Sequence, residues 1–249
     1  MPCAVMKIAD GIAMLEVEMN MMGRTNTINP TLLYDENHAF LVDVGMPRQV
    51  ELLRTAVEKE GVSFDRIDGV ILTHQDIDHI GGINDVQNTL GKGIEVYAHA
   101  EDVPYIEGSI PPIKMNKERV GQMLSSMPEQ VRKEAEAVLL NPPTAKVTQP
   151  LADGEVLPYF GGIEVVFTPG HTPGHIGLYH KASKTLIAGD ATVSENGKLL
   201  GPMPSATPDM ARAVESLKRF TELDIERVIC YHGGLCQDNV LGQLRQLVK

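Results

Sequence analysis

Short apolar runs that end at Gly, Asp or His alternate along this chain with longer segments whose apolar residues recur at helical spacing. That alternation is the mark of a layered α/β fold rather than an all-helical one. Residues 12–18 (IAMLEVE), 31–34 (TLLY) and 39–44 (AFLVDV) read as strands, with Asp35, Glu36, Asn37 and His38 as a hairpin turn. A helix is predicted from Pro47, where proline costs no backbone bond, to about residue 60, with Val50, Leu53 and Val57 on one face. The buried strand GVILT at 69–73 then delivers His74. Residues 100–145 break the rhythm with PPIKMNKERV, a Met- and Glu-rich helical stretch and a closing NPP. They read as a helical insert or cover within one domain spanning 1–249. Strands at 163–168, 175–179 and 185–189 follow, then a helix opening at Thr207, Pro208 and Asp209, with Thr207 as N-cap and Pro208 as first helical residue. The strand ERVICYH ends at His232, and a last helix closes the chain.

A faint repeat runs through this order. AFLVDVG, helix and VILTH in the first half match TLIAGDA, helix and RVICYH in the second. Asp43 and His74 thereby take the same topological places as Asp190 and His232, at strand C-termini where sites of layered α/β folds gather. One site between two similar halves is the expectation.

Composition narrows the partners. At 249 residues, with 43% hydrophobic and 22% charged residues, the chain has the make-up of a folded protein. Thirty-three acidic against 22 basic residues give a formal charge of −11, which repels phosphate backbones and argues against a nucleic-acid partner. Lys7, Asp10 and Glu16 interrupt the N-terminal apolar residues, so neither a signal peptide nor a membrane span is expected. Cys3, Cys230 and Cys236 form no paired framework, consistent with a reducing cytoplasm.

The segment Thr73 to Gly82, THQDIDHIGG, places His74, Asp76, Asp78 and His79 within six residues of a strand end. Imidazole nitrogen and carboxylate oxygen are the donors that divalent zinc, iron and manganese accept. The glycine pair lets the chain turn tightly into the next helix. His171 in TPGHTPGH, Asp190 ending LIAGD and His232 ending VICYH are further ligand-type residues at strand exits or Gly/Pro turns. Coincidence across four such places is improbable.

The order Asp43, THQDIDH, GHTPGH, GDA and YHGG resembles the metallo-β-lactamase superfamily over essentially the whole chain. The resemblance implies an αββα sandwich with a metal site at one edge of the sheets. It further implies that His74 and His171 bind a first metal, that Asp78, His79 and His232 bind a second, and that Asp190 bridges them. Asp43 matches an aspartate that orients the ligand loop. The departure is Asp76: most hydrolases of the superfamily carry HxHxDH, and this chain carries HxDxDH. A carboxylate there either joins the ligands and makes them harder, favouring manganese or iron over zinc, or leaves the first site weak. Similar diiron members carry a glutamate there, beside a flavin domain that this sequence lacks.

Two divalent ions, zinc first and manganese or iron as alternatives, share and acidify a water in such centres, with Asp78 as proton relay and Asp190 as the second catalytic carboxylate. The implied activities are those of lactonases, glyoxalase II-like thioesterases, β-lactamases and phosphodiesterases. Acidic charge disfavours a nuclease, and the altered motif and missing signal peptide disfavour an antibiotic-resistance enzyme. What remains is a hydrolase of a small-molecule ester, lactone or thioester, lactones first. An iron-dependent oxygenase and a non-catalytic metal-binding homologue are the alternatives. Met19, Met21 and Met22 are read either as an adaptable flap or as core filling. His175 is read as a hydrogen-bonding partner of the site or as a turn residue, His99 as a structural residue first or else as one that approaches the site, and His38 and His180 as solvated. Cys230 is read as a small core residue.

Overall fold

The protein is described by a computed structural model covering residues 3–21, 24–115, 117–125 and 127–249. The first sheet is built from β1 (Cys3–Ala9), β2 (Ile12–Met21), β3 (Arg24–Ile28), β4 (Thr31–Tyr34), β5 (Ala39–Val42), β6 (Gly69–Leu72), β7 (Glu95–His99) and β8 (Gln149–Leu151). Its order is β1-β2-β4-β5-β6-β7-β8, with β3 also paired to β2. The second sheet draws on β9 (Val156–Leu157), β10 (Ile163–Phe167), β11 (Ile176–His180) and β12 (Thr185–Ile187). A two-stranded ribbon, β13 (Val193–Glu195) and β14 (Lys198–Leu200), interrupts it before β15 (Arg227–Cys230) and β16 (Gly234–Cys236) complete the order β16-β15-β12-β11-β10-β9.

Period-two alternation explains why these runs are apolar throughout. Along β5, Phe40 and Val42 point between the sheets while Ala39 and Leu41 point outward. On β6, Ile71 points in while Val70 and Leu72 point out. Facing them across the sandwich are Ile163, Val165, Ile176, Leu178 and Ile229 of the second sheet. The outer face of the first sheet is covered by α1 (Val50–Lys59), which contributes Leu53, Ala56 and Val57, and, beyond the short α2 (Ile77–Ile80), by α3 (Ile83–Leu90), which contributes Ile83 and Val86. The helices α4 (Val103–Ile106), α5 (Lys117–Ser125) and α6 (Glu129–Leu139) follow β7. On the outer face of the second sheet lie α7 (Met210–Ser216), α8 (Lys218–Thr221) and α9 (Val240–Leu247), with Phe220, Val240 and Leu244 packed on Val166, Leu186 and Val228. Helix, sheet, sheet, helix is the αββα sandwich expected. Each fully buried Leu, Ile or Phe stabilises it by about 1.5–3 kcal/mol.

The repeat is real in three dimensions. β5 pairs parallel with β6, and β12 pairs parallel with β15, each joined through a crossover with helix. All four C-terminal ends open on the same region.

Several boundaries differ from the sequence expectation for physical reasons. β5 ends at Val42 because Asp43 takes a left-handed backbone (φ 60°), and α1 begins at Val50 rather than Pro47. The 207–209 segment is capped by Asp209, whose carboxylate accepts from the Arg212 amide at 3.0 Å. Thr207 stays extended, so it is not the cap. β1 (CAVMKIA), where no strand was expected, lies at a sheet edge with most of its side chains only partly covered. The Met-rich segment continues β2 and returns as β3, with Met21 opposite Arg24. Met19 is 2% exposed in the core, the filling alternative; Met22 and the side chain of Met21 lie outside the described residues. Residues 100–145 do form helices, and α5 and α6 share their own small core of Val120, Met127 and Leu139. Among the described residues no helix is long and apolar enough to cross a membrane.

Candidate metal centre

β6 ends at Leu72, and the chain then drops its polar residues into the crevice between the sheets. Asp43 fixes the start of this loop: Oδ1 accepts from the Thr73 amide at 2.8 Å and Oδ2 from the Thr73 hydroxyl at 2.7 Å. The His79 Nδ1–H donates to the same Oδ2 at 2.8 Å, which turns Nε2 toward the crevice. His74 places its Nδ1 2.9 Å from the Thr73 hydroxyl, with its Nε2 likewise inward. Gly81 and Gly82 are required by proximity rather than by backbone twist. A Cβ on Gly81 would lie 2.4 Å from Pro47 Cδ, and one on Gly82 2.3 Å from the Val44 carbonyl.

The TPGHTPGH turn delivers two more imidazoles. His171 Nδ1 sits 3.2 Å from the Thr207 hydroxyl, so Thr207 sets the His171 tautomer instead of capping a helix. His175 is fully buried; its Nδ1 pairs with Thr168 Oγ1 at 2.8 Å, and its Nε2 accepts from the Asp190 amide at 3.0 Å. His175 therefore orients Asp190. Gly189 (φ 52°) makes this possible, since a Cβ there would approach His175 Nε2 to 2.8 Å.

The ligand-type atoms of His74, Asp76, His171 and Asp190 all lie within 4.8 Å of one another, and those of Asp78, His79 and His232 form a second such group. Asp190 faces both. Its Oδ1 is 3.3 Å from His79 Nε2, and its Oδ2 is 3.3 Å from His171 Nε2 and 3.5 Å from His232 Nε2. Asp78 Oδ2 lies 3.2 Å from His232 Nε2. Every ligand candidate read from the sequence is thus brought to one place, Asp76 included.

Electrostatics and hydrogen bonding fit these residues to hold a cation. His74 Nε2, His79 Nε2 and Asp190 Oδ1 are buried and make no hydrogen bond, the His79 Nε2–Asp190 Oδ1 approach of 3.3 Å and the His74 Nε2–Asp76 Oδ2 approach of 3.4 Å being charge contacts only, and an unsatisfied buried polar atom costs about 1–3 kcal/mol. Burial pushes the His74 and His175 imidazoles well below their ordinary value, keeping them neutral acceptors. Burial also opposes charge on His79, yet Asp190, Asp43 and Asp78 together hold it well above the usual imidazole range. His232 is pushed up to about 10, Asp190 and Asp78 outweighing its burial. Against their own burial, Asp190 and Asp76 are held well below the carboxylate range by the surrounding cationic groups. A pocket so anionic, with Nε2 lone pairs converging, suits a divalent metal.

Two residues escaped the sequence reading. Asp102, fully buried just beyond β7, accepts from the Gln75 amide (3.0 Å), Gln75 Nε2 (3.1 Å), the Thr172 hydroxyl (2.8 Å) and the Gly174 amide (2.7 Å). It ties the HQD loop to the GHT turn. Lys114, from the 100–145 segment, contacts Asp76 Oδ2 and lies 2.6 Å from His171 Nε2. Among the described residues, a pocket of about 150 Å³ opens beside them, lined by Gln75, Ile77, Ile80, Pro112, Met115 and Pro143 together with Asp76, Asp78 and Lys114.

The remaining residues sort as follows. His99 stacks on Phe167 (centroids 4.1 Å apart, 13° between planes) and belongs to neither ligand group, the structural outcome. His38 pairs with Asp68 at 3.0 Å and is half-exposed. His180 departs from expectation: it is 7% exposed, its Nδ1 2.7 Å from Ser183 Oγ, because β11 runs through it before the turn begins. Burial pushes the Cys230 thiol up to about 12, as fits an inert core residue. Tyr231 donates to the Asp78 carbonyl at 2.5 Å and lays its ring on His79.

Comparison with known proteins accords with this geometry. Residues 23–232 match the metallo-beta-lactamase superfamily. The probable metallo-hydrolase YflN of Bacillus subtilis is 29% identical over 216 residues, covering 81% of this chain and 78% of that protein. A hydroxyacylglutathione hydrolase of Francisella philomiragia is 21% identical over 194 residues, covering 78% of this chain and 57% of that enzyme. A metallo-beta-lactamase family protein of Thermus thermophilus superposes with a TM-score of 0.73 at 23% identity, over 97% of this chain and 79% of that structure.

Proposed function

The chain belongs to the metallo-beta-lactamase superfamily as a metallo-hydrolase, and on that premise we propose that it cleaves a small-molecule ester, lactone or thioester, lactones first. The observation that carries the reading is the convergence of Asp78, His79, His232 and Asp190 with unpartnered Nε2 and Oδ1 atoms beside an apolar pocket of about 150 Å³. Asp78, His79 and His232, with Asp190 between the two groups, would hold a divalent ion, zinc first and manganese or iron as alternatives. When bound, such an ion supplies Lewis acidity and brings the pKa of a water toward neutrality.

The chain's own residues supply the rest. Asp78, at the pocket wall, receives the proton of the attacking water and passes it to the leaving oxygen or sulfur. Asp190 is held for its task by the His175 and Gly189 backing. The acyl group lies against Ile77, Ile80, Pro112, Met115 and Pro143, which exclude bulk water from the reacting carbonyl. The relative named as a hydroxyacylglutathione hydrolase supports a thioester within the range. The net charge of −11 weighs against phosphodiesters.

A panel of esters, lactones, thioesters and phosphodiesters, offered to zinc-, manganese- and iron-loaded protein, tests this. Acyl compounds should be cleaved and phosphodiesters spared, with Asp78→Asn lowering kcat by about 10²–10⁴-fold. Phosphodiester cleavage without acyl cleavage would refute the substrate class.

A further inference from the structure

Resting on the metallo-hydrolase reading, we propose that the Lys114 ammonium takes the place of the first metal ion, so that the centre holds one divalent cation beside a positive charge of the chain's own. The divalent cation belongs to the Asp78, His79 and His232 group; Lys114 belongs to the group of His74, Asp76, His171 and Asp190. This revises the expectation of two ions.

Thr207 Oγ1 stands 3.2 Å from His171 Nδ1, so the Nδ1–H donates to it and the lone pair sits on Nε2. Lys114 Nζ donates to that Nε2 at 2.6 Å. An imidazole nitrogen has a single lone pair, and a zinc ion would claim it at about 2.0–2.1 Å. Lysine and metal therefore exclude each other at His171. The same ammonium contacts Asp76 Oδ2, a second atom of that group.

The altered motif gains a reason from this pairing. A histidine at position 76 would offer a neutral ring to an ammonium; an aspartate offers it an ion pair. Asp76 and Lys114 thus form one charge pair across 38 residues of sequence. Three carboxylates, those of Asp76, Asp78 and Asp190, are balanced by one divalent ion and one ammonium.

Lys114 is also held in position rather than reaching in from a free loop. Its side chain is 10% exposed. The neighbouring Ile113 amide donates to Gln75 Oε1 at 2.9 Å, and Gln75 is itself fixed by Asp102. The cover and the metal loop are therefore stapled one residue from each end of the Lys114–Asp76 pair. The other ligand group has no such occupant: among the described residues no lysine or arginine is paired with Asp78, and His79 Nε2 makes no hydrogen bond, facing only the carboxylates of Asp190 at 3.3 Å and Asp78 at 3.9 Å. His74 Nε2 also makes no hydrogen bond, lying 3.4 Å from Asp76 Oδ2, so removing the ammonium leaves His74, Asp76, His171 and Asp190 as a full four-ligand set.

The test is metal counting on the full chain, loaded with zinc or cobalt(II), stripped of excess ion and read by elemental analysis, with cobalt(II) ligand-field absorption reporting coordination. The wild-type protein and Lys114→Arg should hold one ion per chain. Lys114→Gln and Lys114→Met should hold two, with a second cobalt(II) band set. The two neutral variants differ in polarity, so a folding defect in one leaves the other informative, and Asp76→His combined with Lys114→Met should tighten the second zinc. Two ions in the wild type, or one ion in the folded neutral variants, overturns the proposal while leaving a metallo-hydrolase. No ion in the wild type would instead overturn the metal reading beneath it.

Discussion

Replacing Asp102 by asparagine keeps the side chain's shape and removes one acceptor oxygen from a closed network. Oδ2 accepts from the Gln75 amide and the Thr172 hydroxyl, and Oδ1 from Gln75 Nε2 and the Gly174 amide. Whichever way the new amide is turned, its NH₂ faces a backbone N–H, that of Gln75 or that of Gly174. A hydroxyl can rotate to accept; a backbone amide cannot. One buried donor is then orphaned, at about 1–3 kcal/mol, and the bonds that remain lose the charge that strengthened them. Burial pushes the Asp102 carboxyl up, so the neutral side chain recovers part of a desolvation cost. The net loss is about 2 kcal/mol, and Asp102→Ala, which abandons all four donors, exceeds it. Urea unfolding of the metal-free protein should show a lower midpoint at constant slope. Because Gln75 adjoins Asp76 and Thr172 adjoins His171, zinc affinity in a chelator competition should also weaken about 10-fold. Stability within about 0.5 kcal/mol of wild type together with unchanged zinc affinity would refute the view that Asp102 joins the two ligand loops.

Other consequences are equally open to measurement. Asp43→Asn leaves a residue that tolerates the left-handed backbone at φ 60° but weakens the acceptor for the His79 Nδ1–H. Metal affinity should fall about 10–100-fold in the same competition assay, while the thermal midpoint of the metal-free protein shifts far less. For pH, His232 in the metal-free protein titrates at about 10, raised by Asp190 and Asp78 above the ordinary imidazole value. Its stabilisation is therefore complete below about 6.5 and is lost as pH rises through about 10. Thermal melts of metal-free protein should decline across that window. Metal loading at neutral pH should release protons, seen as a buffer-dependent heat of binding; a heat independent of the buffer would contradict this.

Several of the candidate ligands were legible because they sit just past the end of a strand, whereas Asp78 and His79 lie on α2. His74, Asp190 and His232 follow β6, β12 and β15 by a few residues at most, and the parallel pairings bring those ends together. The same signal was available for Asp102, a carboxylate three residues beyond β7, and would have marked it beside Asp43. Lys114 carried no such mark: it lies in a proline-containing turn between α4 and α5, and only tertiary folding of the cover brings it to Asp76. Thr207 has good N-cap chemistry, but its hydroxyl faces His171, and that contact prevailed over local propensity. The edge strand β1 was missed because its run CAVMKIA shows no period-two alternation of apolar and polar residues.

Acyl hydrolysis by this chain should depend on bound metal. Protein dialysed against a chelator should lose cleavage of its best ester, lactone or thioester substrate while remaining folded, and stoichiometric zinc, manganese or iron should restore it. Undiminished hydrolysis by protein shown by elemental analysis to be free of metal would contradict it.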